Sequence, residues 1–142
     1  MQNPSYKIDD FFKACKDYKS DLFIWDCAIN DAAKYYNLKS VKEIAKYIVT
    51  YKLNPDRRFV NSIPLESWRR TDLSAPMVDA YSFNAGAFIG YVAFFYVPNA
   101  KWTIKSFHKD TSKETLRVPM FQEKLLPVVS GSSLGRLKGA KT

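Results

Sequence analysis

The chain carries a single histidine, His108, and it stands in a run of cations: Lys101, Lys105 and Lys109 share the segment from Lys101 to Asp110. Three tyrosines, Tyr81, Tyr91 and Tyr96, lie on the apolar runs just before it. Imidazole titrates near neutrality and serves as acid or base. Ammonium and guanidinium groups stabilise negative charge that develops on phosphoryl oxygens. A phenol stacks on a base or donates a proton. Together these are the parts needed to cleave RNA through its own 2′-hydroxyl. One group takes the 2′-OH proton, positive charge steadies the phosphorane, and another group protonates the departing 5′-oxygen. In this reading His108 is the general acid or base, Lys105 and Lys109 stabilise phosphate, and Tyr81 and Tyr91 stack or donate. The competing structural reading of His108 is a surface histidine at a strand end.

A second set of cations lies in the stretch from Arg57 to Pro76. Arg57-Arg58 and Arg69-Arg70 are paired, with Trp68 beside the second pair. Guanidinium planes and aromatic rings interleaved in this way suit RNA, whose bases stack on both. Arg57, Arg58, Arg69, Arg70 and Lys101 are therefore candidate RNA-backbone contacts. Trp68 reads more simply as a plug at the edge of the core. Other chemistries lack their parts. One histidine and two separated cysteines do not make a usual zinc site. The sequence has no GxxxxGK[ST] or GxGxxG motif. Ser106 is two residues from His108 on the same run, without a positioned acid to complete a triad. No cofactor is called for.

The elements that must position these groups begin with three antiparallel strands. Asp79–Phe83 is the first, Asn84-Ala85-Gly86 a turn, Ala87–Val97 the second, Pro98-Asn99-Ala100 a turn, and Lys101–Phe107 the third, running into His108, Lys109 and Asp110. Val, Ile, Phe, Tyr, Trp and Thr dominate the runs, and Gly, Pro and Asn bound them. The middle run is apolar on both parities, which predicts a central strand. Strict alternation sends Lys105 and His108 to opposite faces. They converge only if the strand ends or bulges near Phe107.

Upstream, Ser5–Lys19 has apolar residues at helical spacing, with Asp9 and Asp10 early and lysines late. Leu22–Trp25 predicts a brief edge strand or the first turn of the next helix. Helices over 26–36 and 41–51 follow, the latter opened by a Ser40–Glu43 capping box. Arg57–Pro76 is aperiodic, with a strand expected around Phe59–Ile63. Cys15 and Cys27 fall in the predicted helices and read as small buried hydrophobes in a reducing compartment. At 142 residues, with 46% hydrophobic residues and a net charge of +8, the chain predicts one basic cytoplasmic domain, whose charge suits a polyanionic partner (RNA, DNA, an acidic protein or an anionic membrane surface) or is a solvated surface with no ligand. No signal peptide or membrane span is read. The domain is placed at 1–123 and a glycine- and serine-rich basic tail at 124–142. The expected architecture is α+β, with two or three N-terminal helices packed on one face of a curved antiparallel sheet of four or more strands.

This order of elements resembles the RelE-type toxin superfamily, barnase-like endoribonucleases of toxin–antitoxin systems, and most of all its MqsR branch. The resemblance rests on Leu22-Phe23-Ile24-Trp25, the Ala28–Tyr36 helix, the Asn37-Leu38 stop and the Val41–Tyr51 helix. It continues through Asp79-Ala80-Tyr81, Gly90-Tyr91-Val92 and Lys105-Ser106-Phe107-His108-Lys109, covering about residues 20 to 110. It implies a sequence-selective or ribosome-associated endoribonuclease, neutralised by an acidic antitoxin protein. By position, Tyr91 falls at the family's functional strand tyrosine, and His108 at the lysine after Ser-Phe. Histidine for lysine keeps the proton chemistry and changes the charge. The Arg57–Pro76 stretch and the C-terminal tail have no counterpart. The alternative function is a non-catalytic module of the same fold that binds nucleic acid or an acidic protein.

Overall fold

A computed structural model describes residues 2–110. Residues 111–142, which contain the end of the expected domain and its basic tail, lie outside the described part. Residues Met1–Lys109 form one compact unit. Helix α1 spans Ile8–Lys16 and α2 spans Tyr18–Asp21. Strand β1 (Leu22–Ile24) follows, then α3 (Asp26–Asp31), which continues as a π-helical turn over Ala32–Tyr36. Helix α4 is Val41–Tyr51, and the remaining strands are β2 (Arg58–Pro64), β3 (Met77–Asn84), β4 (Ile89–Tyr96) and β5 (Trp102–Lys109).

The first helix starts three residues later than its apolar spacing predicts, for a reason that lies on β3. Asp79 is fully buried, and its carboxylate accepts from the backbone N–H groups of Ser5 and Tyr6. The Tyr6 hydroxyl donates to the Met77 carbonyl at 2.7 Å, and the Gln2 amide pairs with the Ser62 backbone. A buried carboxylate needs such donors, because leaving it unpaired costs more than any helical turn returns. Residues 2–6 are thus held to the sheet and are not free to extend the helix. The next stops follow the sequence. Asn37 closes the α3 segment with φ 58°, a left-handed conformation that asparagine tolerates. Ser40 Oγ accepts from Glu43 N–H at 3.1 Å, and the Glu43 carboxylate accepts from Lys39 N–H, so the cap forms one residue wider than the standard box.

The five strands form one sheet in the order β1-β5-β4-β3-β2, with β4 in the centre. All pairs are antiparallel except β1 with β5, which run parallel through Leu22↔Trp102 and Ile24↔Ile104. The sheet is therefore mixed rather than purely antiparallel. The short edge strand β1 enters beside β5, the last described strand, and no hairpin joins them. The helices pack on one face. There Phe11, Cys15, Ile24, Ala28, Ile44 and Ile48 meet Tyr81, Phe83, Val92, Phe94, Ile104 and Phe107 in a single core. Phe11 stacks on Phe94 with ring centres 3.8 Å apart and planes 3° from parallel. Burial raises the Cys15 thiol to about 12, an inert state. Cys27 departs from expectation and is exposed. Among the described residues no helix is long and apolar enough to cross a membrane.

Candidate nucleic-acid interface on the open sheet face

Among the described residues, no helix packs on the opposite face. Its residues are smaller, with Ala80, Ala93, Val78, Phe95 and Leu65 in a second, minor cluster. Trp68 packs at the edge of that cluster, and its indole N–H donates to the Leu73 carbonyl at 3.0 Å, which is the plug expected of it.

Strand register lines up the polar groups of this face. Arg58 stands opposite Ser82, Ser82 opposite Tyr91, and Tyr91 opposite His108. Because directly opposed residues point to the same side of a sheet, these four make one row across four strands. The Tyr91 and His108 rings stack, with centres 4.9 Å apart and planes 15° apart. His108 Nδ1 lies 2.7 Å from the carbonyl oxygen of Lys109. A carbonyl only accepts, so this bond places hydrogen on Nδ1. The neutral ring is then left with its lone pair on Nε2. From behind, the Tyr36 hydroxyl donates to the His108 carbonyl at 2.9 Å and fixes the strand end. Gly90 is what admits Tyr36. A Cβ there would sit 2.4 Å from the Tyr36 hydroxyl and 2.5 Å from the Phe83 ring.

Lys105 joins the row because β5 bulges. Ala93 pairs with Ser106, whereas the next residue, Phe94, pairs with Ile104, so Lys105 is the extra residue. The bulge shifts the parity of β5, and Lys105 and His108 share the open face. The Lys105 ammonium lies 5.9 Å from the centre of the Trp25 ring. Trp25 follows the parallel edge strand and is anchored by its N–H to the Ile104 carbonyl at 3.0 Å. A cavity of about 350 Å³ opens here, between Trp25, Tyr91 and Lys105 on one side and the start of the β2–β3 connection on the other.

Other candidates lie elsewhere. Tyr81 is buried among Phe59 and Phe94 on the helix-covered face, so it has no part in this row. Its parity is opposite to that of Tyr91 in the paired strands, and burial, with Asp79 nearby, raises its phenol. Lys109 pairs with Gly90 and takes the parity of the helix-covered face. Lys101 precedes β5, and seven residues of strand put it roughly 20 Å from His108. Arg57 donates to the Lys52 carbonyl at 2.9 Å and lies over the Phe12 ring, again on the helix side. Arg70 is forked onto the Asp72 carboxylate, whose pKa is lowered by that hydrogen bond, and Arg69 is exposed in the same connection. Of the ten candidates, His108, Tyr91, Lys105 and Arg58 therefore share one face, with Tyr91 and His108 in contact and Arg58 at the far end of the row, roughly 14 Å from His108 along the backbone.

Comparison of the chain with protein-family models, curated proteins and solved structures finds no match. The site is thus described by its own geometry. Residues of this face that the sequence does not point to are Trp25, Ser82 and, lining the cavity at the start of the β2–β3 connection, Glu66. The sequence places Trp25 at the end of the Leu22–Trp25 run, and its position beside Lys105 follows from the parallel β1–β5 register. Glu66 lies in the aperiodic stretch, where no spacing points to a face.

Proposed function

We propose that this protein is a metal-independent endoribonuclease of the toxin–antitoxin type, acting in the cytoplasm and held in check by an acidic partner protein. The observation that carries the reading is the row Arg58–Ser82–Tyr91–His108, with the Nδ1 hydrogen of His108 engaged by the Lys109 carbonyl. An imidazole held in that tautomer presents Nε2 as a base. It takes the proton of a ribose 2′-hydroxyl as the 2′-oxygen attacks the adjacent phosphorus, and the bond from phosphorus to the 5′-oxygen breaks. Arg58 and Lys105 supply positive charge to the phosphorane oxygens. The Tyr91 hydroxyl, on the ring stacked against the imidazole, is the candidate donor to the leaving oxygen. General acid–base catalysis of this kind contributes about 10²–10⁴-fold. The order of elements that resembles the RelE and MqsR toxins points the same way, as does the net charge of +8.

Purified protein incubated with labelled RNA in EDTA tests this. Cleavage supports the enzyme. A salt-sensitive gel shift without cleavage supports the second reading, a nucleic-acid-binding module. The placement of Tyr81 and Lys109 away from His108 favours that second reading, because it thins the catalytic set.

A further inference from the structure

The outer edge of β5 loses its strand partner after Ile104, where β1 ends. The segment from Trp25 to Tyr36 takes over that edge with three successive contacts. The Trp25 N–H donates to the Ile104 carbonyl at 3.0 Å, the Cys27 thiol to the Lys105 carbonyl at 3.5 Å, and the Tyr36 hydroxyl to the His108 carbonyl at 2.9 Å. The last of these comes from an unusual piece of backbone. Tyr36 ends a π-helical turn that the Asn37 N–H closes on the Ala32 carbonyl. Such single turns are rare and recur at functional sites. Its ring is pinned on the helix-covered face, stacked on Phe107 at 4.3 Å and edge-on to Phe88 and Tyr47 at 5.0 and 5.7 Å.

This hydroxyl binds the main chain of His108 from behind, while the imidazole stands on the open face. The two are joined through one rigid unit. The His108 carbonyl and the Lys109 N–H belong to a single planar peptide group, so holding that carbonyl fixes the direction in which Lys109 leaves the strand. The Lys109 carbonyl is in turn the acceptor for Nδ1, at 2.7 Å. A neutral imidazole in water prefers its hydrogen on Nε2, so the opposite tautomer has to be imposed by an acceptor held in place. We infer that Tyr36 is a positioning residue that acts through the His108–Lys109 peptide to set the imidazole tautomer, which leaves the Nε2 lone pair toward the open face. The inference rests on the reading of His108 as the base of the proposed reaction. It places control of the open-face site in a phenol of the helix-covered face.

His108 is the only histidine in the chain, so its ring nitrogens give unambiguous NMR signals. The test reads the tautomer of the full chain, labelled with nitrogen-15 at histidine, at about pH 8.5, where an ordinary imidazole is neutral. The wild type is expected to carry the hydrogen on Nδ1. Tyr36→Phe keeps the stacked ring and removes only the hydroxyl. The ratio of the Nδ1–H to the Nε2–H form should fall by about fivefold, the net worth of one hydrogen bond. Cys27→Ala removes the neighbouring contact at Lys105 and should leave the ratio unchanged. A dispersed spectrum verifies the fold of each variant. In RNA cleavage Tyr36→Phe should lower kcat by about fivefold and leave KM, because the hydroxyl lies behind the sheet from the RNA. Hydrogen on Nε2 in the wild type, which needs no variant to read, would overturn the inference. So would a wild-type ratio in Tyr36→Phe, or an equal fall in Cys27→Ala. The expected ratios with intact RNA would keep the link from Tyr36 to the imidazole and remove the nuclease. Cleaved RNA with a ratio unmoved by Tyr36→Phe would do the reverse.

Discussion

Phe94 and Tyr91 stand three residues apart on β4 and live in different environments. Phe94 is fully buried, stacked on Phe11 and parallel to Tyr81 at 5.9 Å, beneath the helices. Tyr91 is half-buried against the alanine cluster, beside His108 and a cavity. Large rings and helices close one face of the sheet. On the other face no helix packs among the described residues; its small side chains are buried, while Tyr91, Lys105 and His108 stay partly exposed. The same strands thus build the core on one parity and carry the proposed site on the other. Only a bulge in β5 is needed to bring Lys105 to the open side.

The largest effect that sharpens this contrast is in stability. Phe94→Ala removes a ring from a closed core and should cost about 3–5 kcal/mol in urea denaturation. Tyr91→Ala should cost about 1 kcal/mol or less, because its surroundings are open. Similar losses for both would show that the two faces are equally packed. Gly90→Ala comes next. Its Cβ meets the Tyr36 hydroxyl and the Phe83 ring, and the expected loss is about 1–3 kcal/mol, read from the same denaturation midpoints. A neutral Gly90→Ala would mean that Tyr36 moves aside, and with it the bond to the His108 carbonyl.

A smaller effect appears in alkali. Burial raises the phenols of Tyr6, Tyr47 and Tyr81 on the helix side. The folded state then prefers the protonated phenol, while the unfolded chain ionises near pH 10. This contribution is fully present below about pH 10 and is lost as pH rises through the folded values. Thermal midpoints should be level to about pH 9 and fall beyond pH 10, and Tyr81→Phe should reduce the fall. A slope unchanged in Tyr81→Phe would place that phenol outside the linkage.

The helix-covered half was legible in the sequence because its signals are local. The helical spacing of Ile44, Ala45 and Ile48, the Ser40 cap and the doubly apolar run of β4 each report on a few neighbouring residues. The row on the open face was half legible. His108, Tyr91, Lys105 and Arg58 are chemically conspicuous, yet their convergence depends on register across four strands and on one extra residue in β5. Tyr81 shows the limit. Its residue type matches Tyr91, and only the parity of paired strands separates a core phenol from a site phenol. The late start of α1 was equally hidden, since it follows from a buried carboxylate more than seventy residues downstream.

The most direct test of the account compares cleavage of labelled RNA in EDTA by the wild-type chain, His108→Ala and Lys109→Ala. Both variants are checked for an intact fold by circular dichroism. The open-face row predicts a rate loss of about 10²-fold or more for His108→Ala and little change for Lys109→Ala, on the other parity. Equal activity in His108→Ala and wild type, or a larger loss in Lys109→Ala, would contradict it.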